Sequence, residues 1–372
     1  MTSVVVAGAL ANKPRNGGEA WVRLTWLRGL ADLGLDVRLV ESADVPPDGA
    51  AAEWFDEVVT WAGFADRATL LDARGERLRG PGPESLREAA DDGAALLDLS
   101  GCLADPGLLA SFRVRAYVDL DPGWTQLWDA AGLLGDRLDG YDLHLTVGDA
   151  VPTCGLPQSG RHWQPVRPLV LLSDWTSPPA PSGAPLTTVG SWRSPSGTMP
   201  YGGRELGGKA RPWRPLATLP REVPQPCVAV VSAHAADAAD LDSLAAGGWS
   251  LLPPDAVATP AAYRRFVRDS AGELSVAQEM YSATACGWTS DRTAAYLAAG
   301  RPVVVQDTGF GPDLRSSPAL LAFRTPQQAA TACRALAAAD PAELADASRR
   351  LAADAFSTRT VLPRVLDLLG AA

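Results

Sequence analysis

The chain has 372 residues, a formal net charge of −10, 47% hydrophobic residues and 20% charged residues. This length suits two domains of ordinary size, each with its own core. The negative charge disfavours nucleic acid and anionic membranes as partners, because both would repel it. The first residues lack a basic segment and no apolar run is long enough to span a bilayer, so we expect a cytoplasmic protein.

The five cysteines stand at scattered positions and form no Cys-x-x-Cys spacing. A disulfide framework or a zinc site would need paired or regular spacings, so neither is predicted. We expect free thiols in a reducing compartment and no bound metal.

The first half of the chain alternates short apolar runs with segments of helical character. Residues 4–9 form an apolar run that ends in a loop, which predicts a buried strand. Val22, Trp26 and Leu30 then recur at helical spacing, and Gly34 stands where a helix ends. Further strands are predicted at 37–41, 94–99, 116–121 and 143–147. The alternation predicts a parallel sheet with helices on both faces.

The middle of the chain interrupts this alternation. Residues 152–226 hold fifteen of the 31 prolines, which remove backbone donors and predict a linker with long loops. Strands are predicted at 187–191, 228–232, 249–252 and 303–306, with helices from about residues 235 and 260. The fold class expected is therefore α/β, with two Rossmann-like, doubly wound domains at 1–167 and 168–352 and a last helix at 353–372.

Two domains of this kind would face a cleft that holds the ligand at the carboxyl ends of the strands. A dinucleotide would require Gly-x-Gly-x-x-Gly directly after the first strand, but the loop from Gly8 to Gly18 has another spacing. Glu41 ends the second strand, where a ribose-binding acid would lie, yet one acid alone is a weak signal. An NAD-dependent dehydrogenase is therefore disfavoured.

Only two of the 33 basic residues are lysines, Lys13 and Lys209. Each stands beside a pair of glycines, which let a backbone and an anion approach closely. Both lysines are therefore candidates for a phosphate contact. A solvated lysine on a mobile hairpin is the alternative for Lys209.

The clearest local signal is a predicted helix whose first turn is polar. Thr289 or Ser290 caps it, Asp291 complements the helix dipole, and Arg292 follows. A strand and the glycine-containing loop 306–311 come next. This combination suits a diphosphate and its ribose, and it equally suits a capped surface helix with an Asp–Arg pair.

The segment 270–304 resembles the donor-binding region of GT-B glycosyltransferases. In the family with two glutamates, a Ser-x-x-Glu-like stretch precedes a helix that ends in Ala-x-Gly-x-Pro-Val-Val. Here the stretch runs from Ser270 to Glu273, and the ending is 298–304. The position of the second family glutamate is taken by Asp291 or its neighbours, which leaves the inverting or retaining outcome open.

Two other segments share this resemblance. The loop with Gly17 and Gly18 is similar to the first loop of the family, and 356–369 resembles the C-terminal helix that crosses back to the first domain. More loosely, the chain resembles actinobacterial transferases that decorate secondary metabolites.

The resemblance implies a nucleotide-sugar co-substrate and no other cofactor. Glu273 and Asp291 would contact the sugar or the ribose of the donor, while Arg292, Lys209 and the loop 308–310 would hold the diphosphate. Fixed cations and backbone N–H groups suit a leaving group that gains negative charge, so a metal is not required. The residues assigned to the donor are Gly17, Gly18, Lys209, Glu273, Ser290, Asp291, Arg292, Thr308, Gly309 and Phe310.

Candidates for the acceptor side stand at the ends of two predicted strands. Asp121 is the first choice for the base that activates the acceptor, ahead of Asp119 and His144. The two aspartates alternate onto one face of the strand, where one would orient the other or raise its pKa. Asp121 as the cap of a helix near Trp124 is the alternative, and a histidine in an apolar strand often only packs in a core.

The function expected is a glycosyltransferase that moves a sugar from a TDP- or UDP-sugar to a small-molecule acceptor. The looser resemblance implies a secondary metabolite as acceptor and a role in antibiotic biosynthesis. A nucleotide-sugar 2-epimerase of the same architecture is the main alternative, and a dehydrogenase the more distant one. No nucleic acid or membrane partner is expected, and a homodimer is left open.

Overall fold

In the computed structural model, residues 2–371 are described, and the chain divides into two compact units. Unit 1 comprises the chain up to Val147, Pro157–Leu171, and the chain from Thr358 onward. Unit 2 comprises Gly148–Leu156 and Leu172–Ser357. Unit 2 therefore includes the short segment Gly148–Leu156, and unit 1 includes the final helix.

Residues 2–371 contain sixteen strands, which are short and mostly buried. They are β1 (Ser3–Ala7), β2 (Asp36–Ser42), β3 (Ala68–Leu71), β4 (Arg77–Arg79), β5 (Ala95–Leu99), β6 (Arg115–Asp119), β7 (Leu143–Thr146), β8 (Trp163–Pro165), β9 (Leu186–Ser191), β10 (Met199–Tyr201), β11 (Arg204–Leu206), β12 (Cys227–Ser232), β13 (Ser250–Leu252), β14 (Gly272–Ser275), β15 (Val303–Gln306) and β16 (Leu320–Phe323).

The α-helices fall between these strands or follow the last of them. They are α1 (Gly17–Asp32), α2 (Ala50–Ala62), α3 (Pro83–Asp91), α4 (Pro106–Ser111), α5 (Trp124–Ala130), α6 (Ala210–Trp213), α7 (Ala238–Gly247), α8 (Pro260–Arg268), α9 (Glu279–Thr284), α10 (Asp291–Ala298), α11 (Pro312–Arg315), α12 (Pro326–Ala338), α13 (Pro341–Ala355) and α14 (Thr358–Ala371).

Unit 1 is built on an eight-stranded sheet with the order β4-β3-β2-β1-β5-β6-β7-β8. Neighbouring strands run parallel except β3 and β4. The chain moves outward from β1 to β4 and returns to β5 on the other side of β1, so the switch point lies between β1 and β5. α14 packs on α1 at Gly29, where an added Cβ would lie 2.5 Å from Cγ2 of Thr358. A glycine is therefore needed for this close helix contact.

Unit 2 is built on a six-stranded parallel sheet with the order β13-β12-β9-β14-β15-β16. Its switch point lies between β9 and β14, because the chain first adds β12 and β13 on one side of β9 and then β14 to β16 on the other. A two-stranded antiparallel hairpin, β10 and β11, stands between β9 and α6. Both units thus have the doubly wound α/β architecture predicted from the alternation of apolar runs.

The helices differ from bilayer-spanning segments. Within the described part of the chain, none combines the length and the apolar character that a membrane crossing requires.

Candidate functional site

The candidate site lies at the switch point of the unit 2 sheet. There β9 and β14 are neighbours, and the chain leaves them in opposite directions, an arrangement that forms a ligand crevice beyond the carboxyl ends of doubly wound sheets. Val189 and Gly190 lie near the end of β9, and Ser275 ends β14. Two of the predicted donor residues, Arg292 and Lys209, reach these positions.

Arg292 joins the ends of the two strands. Its Nε donates to Oε1 of Glu273 at 2.6 Å, its Nη1 donates to the carbonyl of Val189 at 2.7 Å, and its Nη2 donates to Oγ of Ser275 at 3.0 Å. A guanidinium carries five N–H groups, so these bonds fix its plane and leave two N–H groups for a ligand. Arg292 is thus a buried cation with a fixed orientation.

Glu273 is the anion that holds Arg292 in place. Its side chain is 0% exposed, with Oε1 bound to Arg292 and Oε2 accepting a hydrogen bond from Oγ1 of Thr293 at 2.7 Å. Burial alone would lower the pKa of Arg292, but the Glu273 carboxylate raises that pKa above its usual value. In this geometry each carboxylate oxygen has a partner inside the fold, so Glu273 acts as a positioning residue for Arg292. Its contact with the donor sugar stays a prediction.

Lys209 is the second cation, and it is buried rather than solvated on the hairpin. It precedes α6 and is 7% exposed. A Cβ added at Gly190 would lie 2.8 Å from Nζ of Lys209, so the amine rests on the end of β9. No carboxylate or carbonyl of residues 2–371 forms an ion pair or hydrogen bond with this amine. The hairpin that precedes it does form, as β10 and β11.

The charge of Lys209 is poorly compensated. Burial, and after it the positive charge of Arg292, lowers the pKa of Lys209 to about 7, while Glu273 and Asp291 act in the opposite direction. Buried charges in proteins are normally paired with an opposite charge. An anion placed between Lys209 and Arg292 would supply the missing partner. The residues are suited to phosphate, and no group of His, Cys, Asp or Glu within residues 2–371 is arranged to hold a metal ion.

Ser290 and Asp291 open α10, as predicted. Oγ of Ser290 accepts a hydrogen bond from the backbone N–H of Arg292 at 3.1 Å, which is the N-cap bond of this helix. Ser290 is 4% exposed, and its hydroxyl caps the helix. Asp291 is half-buried at the first helical position, and its contact with the donor stays a prediction.

The loop 308–310 holds neighbouring backbone segments together. The hydroxyl of Thr308 donates to the carbonyl of Trp288, and the carbonyl of Thr308 accepts from N of Gly287 at 2.7 Å. Gly309 has φ of 87°, and a Cβ there would lie 2.5 Å from the carbonyl oxygen of Ala285. Phe310 is 4% exposed. The hydroxyl and the carbonyl of Thr308 are used within the fold, and the diphosphate contacts of this loop stay a prediction.

Unit 1 carries a different arrangement at its own switch point. The backbone N–H groups of Leu10, Ala11 and Asn12, which follow β1, donate to the carboxylate of Glu41 at 2.7, 2.8 and 2.8 Å. Successive N–H groups that converge in this way form an anion-binding nest. Here a buried internal carboxylate fills the nest, so Glu41 is not placed to bind a ribose and the loop is not open to a pyrophosphate.

Glu41→Ala is expected to lower the free energy of unfolding by about 2–4 kcal/mol, because three N–H groups lose a charged acceptor. Urea unfolding measures this loss. Glu57→Ala is the matched control, since its ion pair with Arg15 is 51% exposed on the Glu57 side, and it is expected to change stability by less than about 1 kcal/mol. Equal losses in the two variants would contradict the role given to Glu41.

Gly17 and Gly18 are the first residues of α1. The side chain of Asn16 caps this helix by accepting a hydrogen bond from N of Glu19 at 3.1 Å. The first N–H groups of a helix have no preceding turn to accept them, so they remain suited to an anion. The predicted contact of these glycines with the donor stays a prediction, and Lys13 lies exposed in the loop before them.

Asp119 lies buried at the end of β6 and accepts several hydrogen bonds. It is 0% exposed and accepts hydrogen bonds from N of Asp121 and from the side chains of Thr125, Gln126 and Thr146, at 2.7–2.9 Å. Burial raises the pKa of Asp119, although these bonds oppose the effect. Its acceptor positions are used within the fold, which does not favour a catalytic role, and that role stays a prediction.

His144 packs inside unit 1, and its role as a base stays a prediction. It lies near the beginning of β7, away from the carboxyl edge, where Nε2 contacts the carbonyl of Leu138 at 3.0 Å. Its ring packs against Tyr117, Tyr141 and Trp163. Burial lowers the pKa of His144, as expected for a packed imidazole.

Asp121 is exposed just beyond the carboxyl end of β6. The N-cap of α5 is Gly123, whose N–H donates to Oε1 of Gln126 at 2.6 Å. Asp121 contributes its backbone carbonyl, which accepts from N of Thr125 at 3.2 Å. Its role as the acceptor-activating base stays a prediction.

Gly190 is the residue that the sequence prediction missed. The absence of a side chain at Gly190 makes room for Lys209. The backbone of Gly190 is not in the left-handed region, so the only obstacle to a small side chain there is Lys209 itself. A glycine at the end of a predicted strand was the available signal, because such a glycine often marks a close approach.

No family model and no curated protein matches the chain. Solved structures match it over nearly all residues. Anabaena HepE in complex with UDP-glucose has a TM-score of 0.59 at 12% identity, with 100% of both chains covered. A variant of S. aureus TarM, in complex with fondaparinux, alpha-GlcNAc-glycerol and UDP, has a TM-score of 0.62 at 8% identity, with 99% of this chain and 100% of TarM covered.

A third solved structure has a similar fold. The pneumococcal O-GlcNAc transferase GtfA in complex with UDP and GlcNAc has a TM-score of 0.59 at 9% identity, with 100% of this chain and 99% of GtfA covered. Structural similarity at this level of sequence identity shows a shared fold and nothing more. The chain has the GT-B fold, as its two Rossmann-like units and the predicted resemblance indicate.

Proposed function

We propose that the chain is a glycosyltransferase that takes its sugar from a nucleotide-diphosphate donor bound in unit 2. The observation that carries the proposal is the pair of buried cations, Lys209 and Arg292, at the switch point between β9 and β14. The solved structures of similar fold support it, because HepE was crystallised with UDP-glucose and TarM and GtfA with UDP. A TDP- or UDP-sugar is the donor class proposed.

The pair suits the chemistry of sugar transfer. When the bond between the anomeric carbon and the diphosphate breaks, the leaving oxygen gains negative charge, and fixed positive groups stabilise that charge. Arg292 is held by Glu273, Val189 and Ser275, so it needs no reorganisation during the reaction. Lys209 adds a second positive charge from the end of β9. Asp291 is proposed to contact the ribose or the sugar.

We propose that unit 1 binds the acceptor and that the first backbone N–H groups of α1 contact the donor. Asp121 is the proposed base, because it is exposed at a strand end while Asp119 and His144 are committed to the fold. A base at this position would contribute about 10²–10⁴ in rate to an inverting transfer. A small molecule, in particular a secondary metabolite, is the proposed acceptor.

The proposal is tested by the thermal stabilisation that UDP, TDP, UMP and NAD produce. UDP or TDP is expected to raise the melting temperature and UMP to raise it less, because the site matches a diphosphate. NAD is expected to raise it least, because the nest of unit 1, where a dinucleotide would bind, is filled by Glu41. The chain's two lysines provide the control: Lys13→Ala is expected to keep the response and Lys209→Ala to lose it. A response to NAD alone, or a loss in Lys13→Ala alone, would contradict the proposal.

A further inference from the structure

The candidate site of unit 2 would hold more positive charge than its surroundings balance if Lys209 were protonated without a ligand. Arg292 and Asp291 face Lys209 from α10, and Glu273 faces it from β14. The end of β9 contributes Gly190, which has no side chain. The carboxylate of Glu273 is already bound to Arg292 and Thr293. The guanidinium of Arg292 and the amine of Lys209 therefore share one carboxylate that is already bound to Arg292 and Thr293, together with the half-buried Asp291.

We infer that ligand binding in unit 2 is coupled to proton uptake, in which the neutral amine of Lys209 becomes an ammonium as a diphosphate enters. This inference rests on the proposed function for the nature of the ligand. The step is an acid–base reaction: a solvent proton binds the lone pair of Nζ, and no other bond is made or broken. Each charge then has a partner, because Glu273 balances Arg292 and the diphosphate balances Lys209.

The titration of Lys209 supports this coupling. Its pKa is lowered to about 7, first by burial and then by Arg292, so at about pH 8 only about a tenth of the free protein carries the charge. A bound diphosphate favours the charged form and raises the pKa of the amine. The affinity for the ligand is therefore expected to fall as the pH rises above about 7, by up to tenfold per pH unit.

Calorimetric titration with UDP at about pH 8, in buffers of different ionisation enthalpy, measures the number of protons taken up. The terminal phosphate of UDP ionises near pH 6, so it is fully charged at this pH and contributes no proton. We expect uptake of nearly one proton per UDP in the wild-type protein and in Lys13→Ala. Lys209→Arg is expected to bind UDP without uptake, because arginine stays charged.

Lys209→Met provides a second variant, since the space above Gly190 is narrow for a guanidinium. It is expected to bind UDP weakly, with no proton uptake and with an affinity independent of pH. Binding of UDP to the wild-type protein without uptake, or uptake that persists in Lys209→Met, would overturn the inference and leave the proposed function standing. Absence of binding for UDP and for the diphosphates of the other nucleosides would instead contradict the proposed function itself.

Discussion

Lys209→Met is expected to weaken the binding of UDP strongly and to raise the stability of the protein. The lost charge–phosphate contact corresponds to about 1.5–3 kcal/mol of binding free energy, or roughly 10–150-fold in affinity. Stability rises because the variant removes a buried ammonium and keeps an unbranched side chain of similar length. The lowering of the pKa of Lys209 from 10.5 to about 7 corresponds to about 4 kcal/mol at neutral pH.

The sign of the pH effect follows from the lowered pKa. Above about pH 7 the folded protein binds fewer protons at Lys209 than the unfolded chain does, so the free energy of unfolding of the wild type rises with pH up to about pH 10.5. In Lys209→Met this rise is absent. Urea unfolding at about pH 7 and at about pH 9.5 measures it, with Lys13→Met as the control. Two results would contradict the account that Lys209 is buried without a compensating anion. One is a Lys209→Met protein that is less stable than the wild type at neutral pH, and the other is a Lys209→Met protein that binds UDP as tightly as the wild type.

Arg292→Gln is expected to destabilise the protein by about 3–5 kcal/mol, because it leaves the fully buried Glu273 carboxylate without its ion pair. The change also removes the donors that reach Val189 and Ser275. If the variant is folded, its affinity for UDP is expected to fall at least as far as that of Lys209→Met. Urea unfolding and calorimetry measure the two effects.

A double-mutant cycle separates the positioning role of Glu273 from a direct contact with the donor. Glu273→Gln combined with Arg292→Gln is expected to be more stable than Arg292→Gln alone, because no charge is then left buried without a partner. Arg315→Gln is the control. Arg315 is 35% exposed, and its partner Asp307 is also held by Arg324, so a loss below about 1 kcal/mol is expected. Additive losses in the cycle would contradict the coupling of Glu273 to Arg292.

The sequence predicted the architecture because most central strands are nearly continuous apolar runs. The strands β1, β2, β5, β6, β7, β9, β12 and β15 all fall within two residues of the predicted runs. The strands not predicted are all three or four residues long: β3, β4, β8, β10, β11, β14 and β16. Among them β14 is central in its sheet, but Glu273 and Ser275 interrupt its apolar character. A long apolar run produces a readable pattern, and a short or polar strand does not.

The candidate site was predicted less completely, because its geometry depends on contacts between residues far apart in sequence. Arg292 was expected beside a ligand, and it does lie at the switch point. The burial of Lys209 was not predicted, since a lysine among glycines and arginines is typical of an exposed loop. It follows from the missing side chain of Gly190 on a neighbouring strand. The commitment of Glu273 to Arg292 likewise depends on the packing of α10 against β14.

A crystal structure of the protein with UDP tests the central claim most directly. The account predicts that oxygens of the diphosphate lie within hydrogen-bond distance, about 2.7–3.2 Å, of Nζ of Lys209 and of the free N–H groups of Arg292, beyond the ends of β9 and β14. The bonds from Arg292 to Glu273, Val189 and Ser275 are expected to persist in the complex. UDP bound with its phosphates away from both Lys209 and Arg292 would contradict the account.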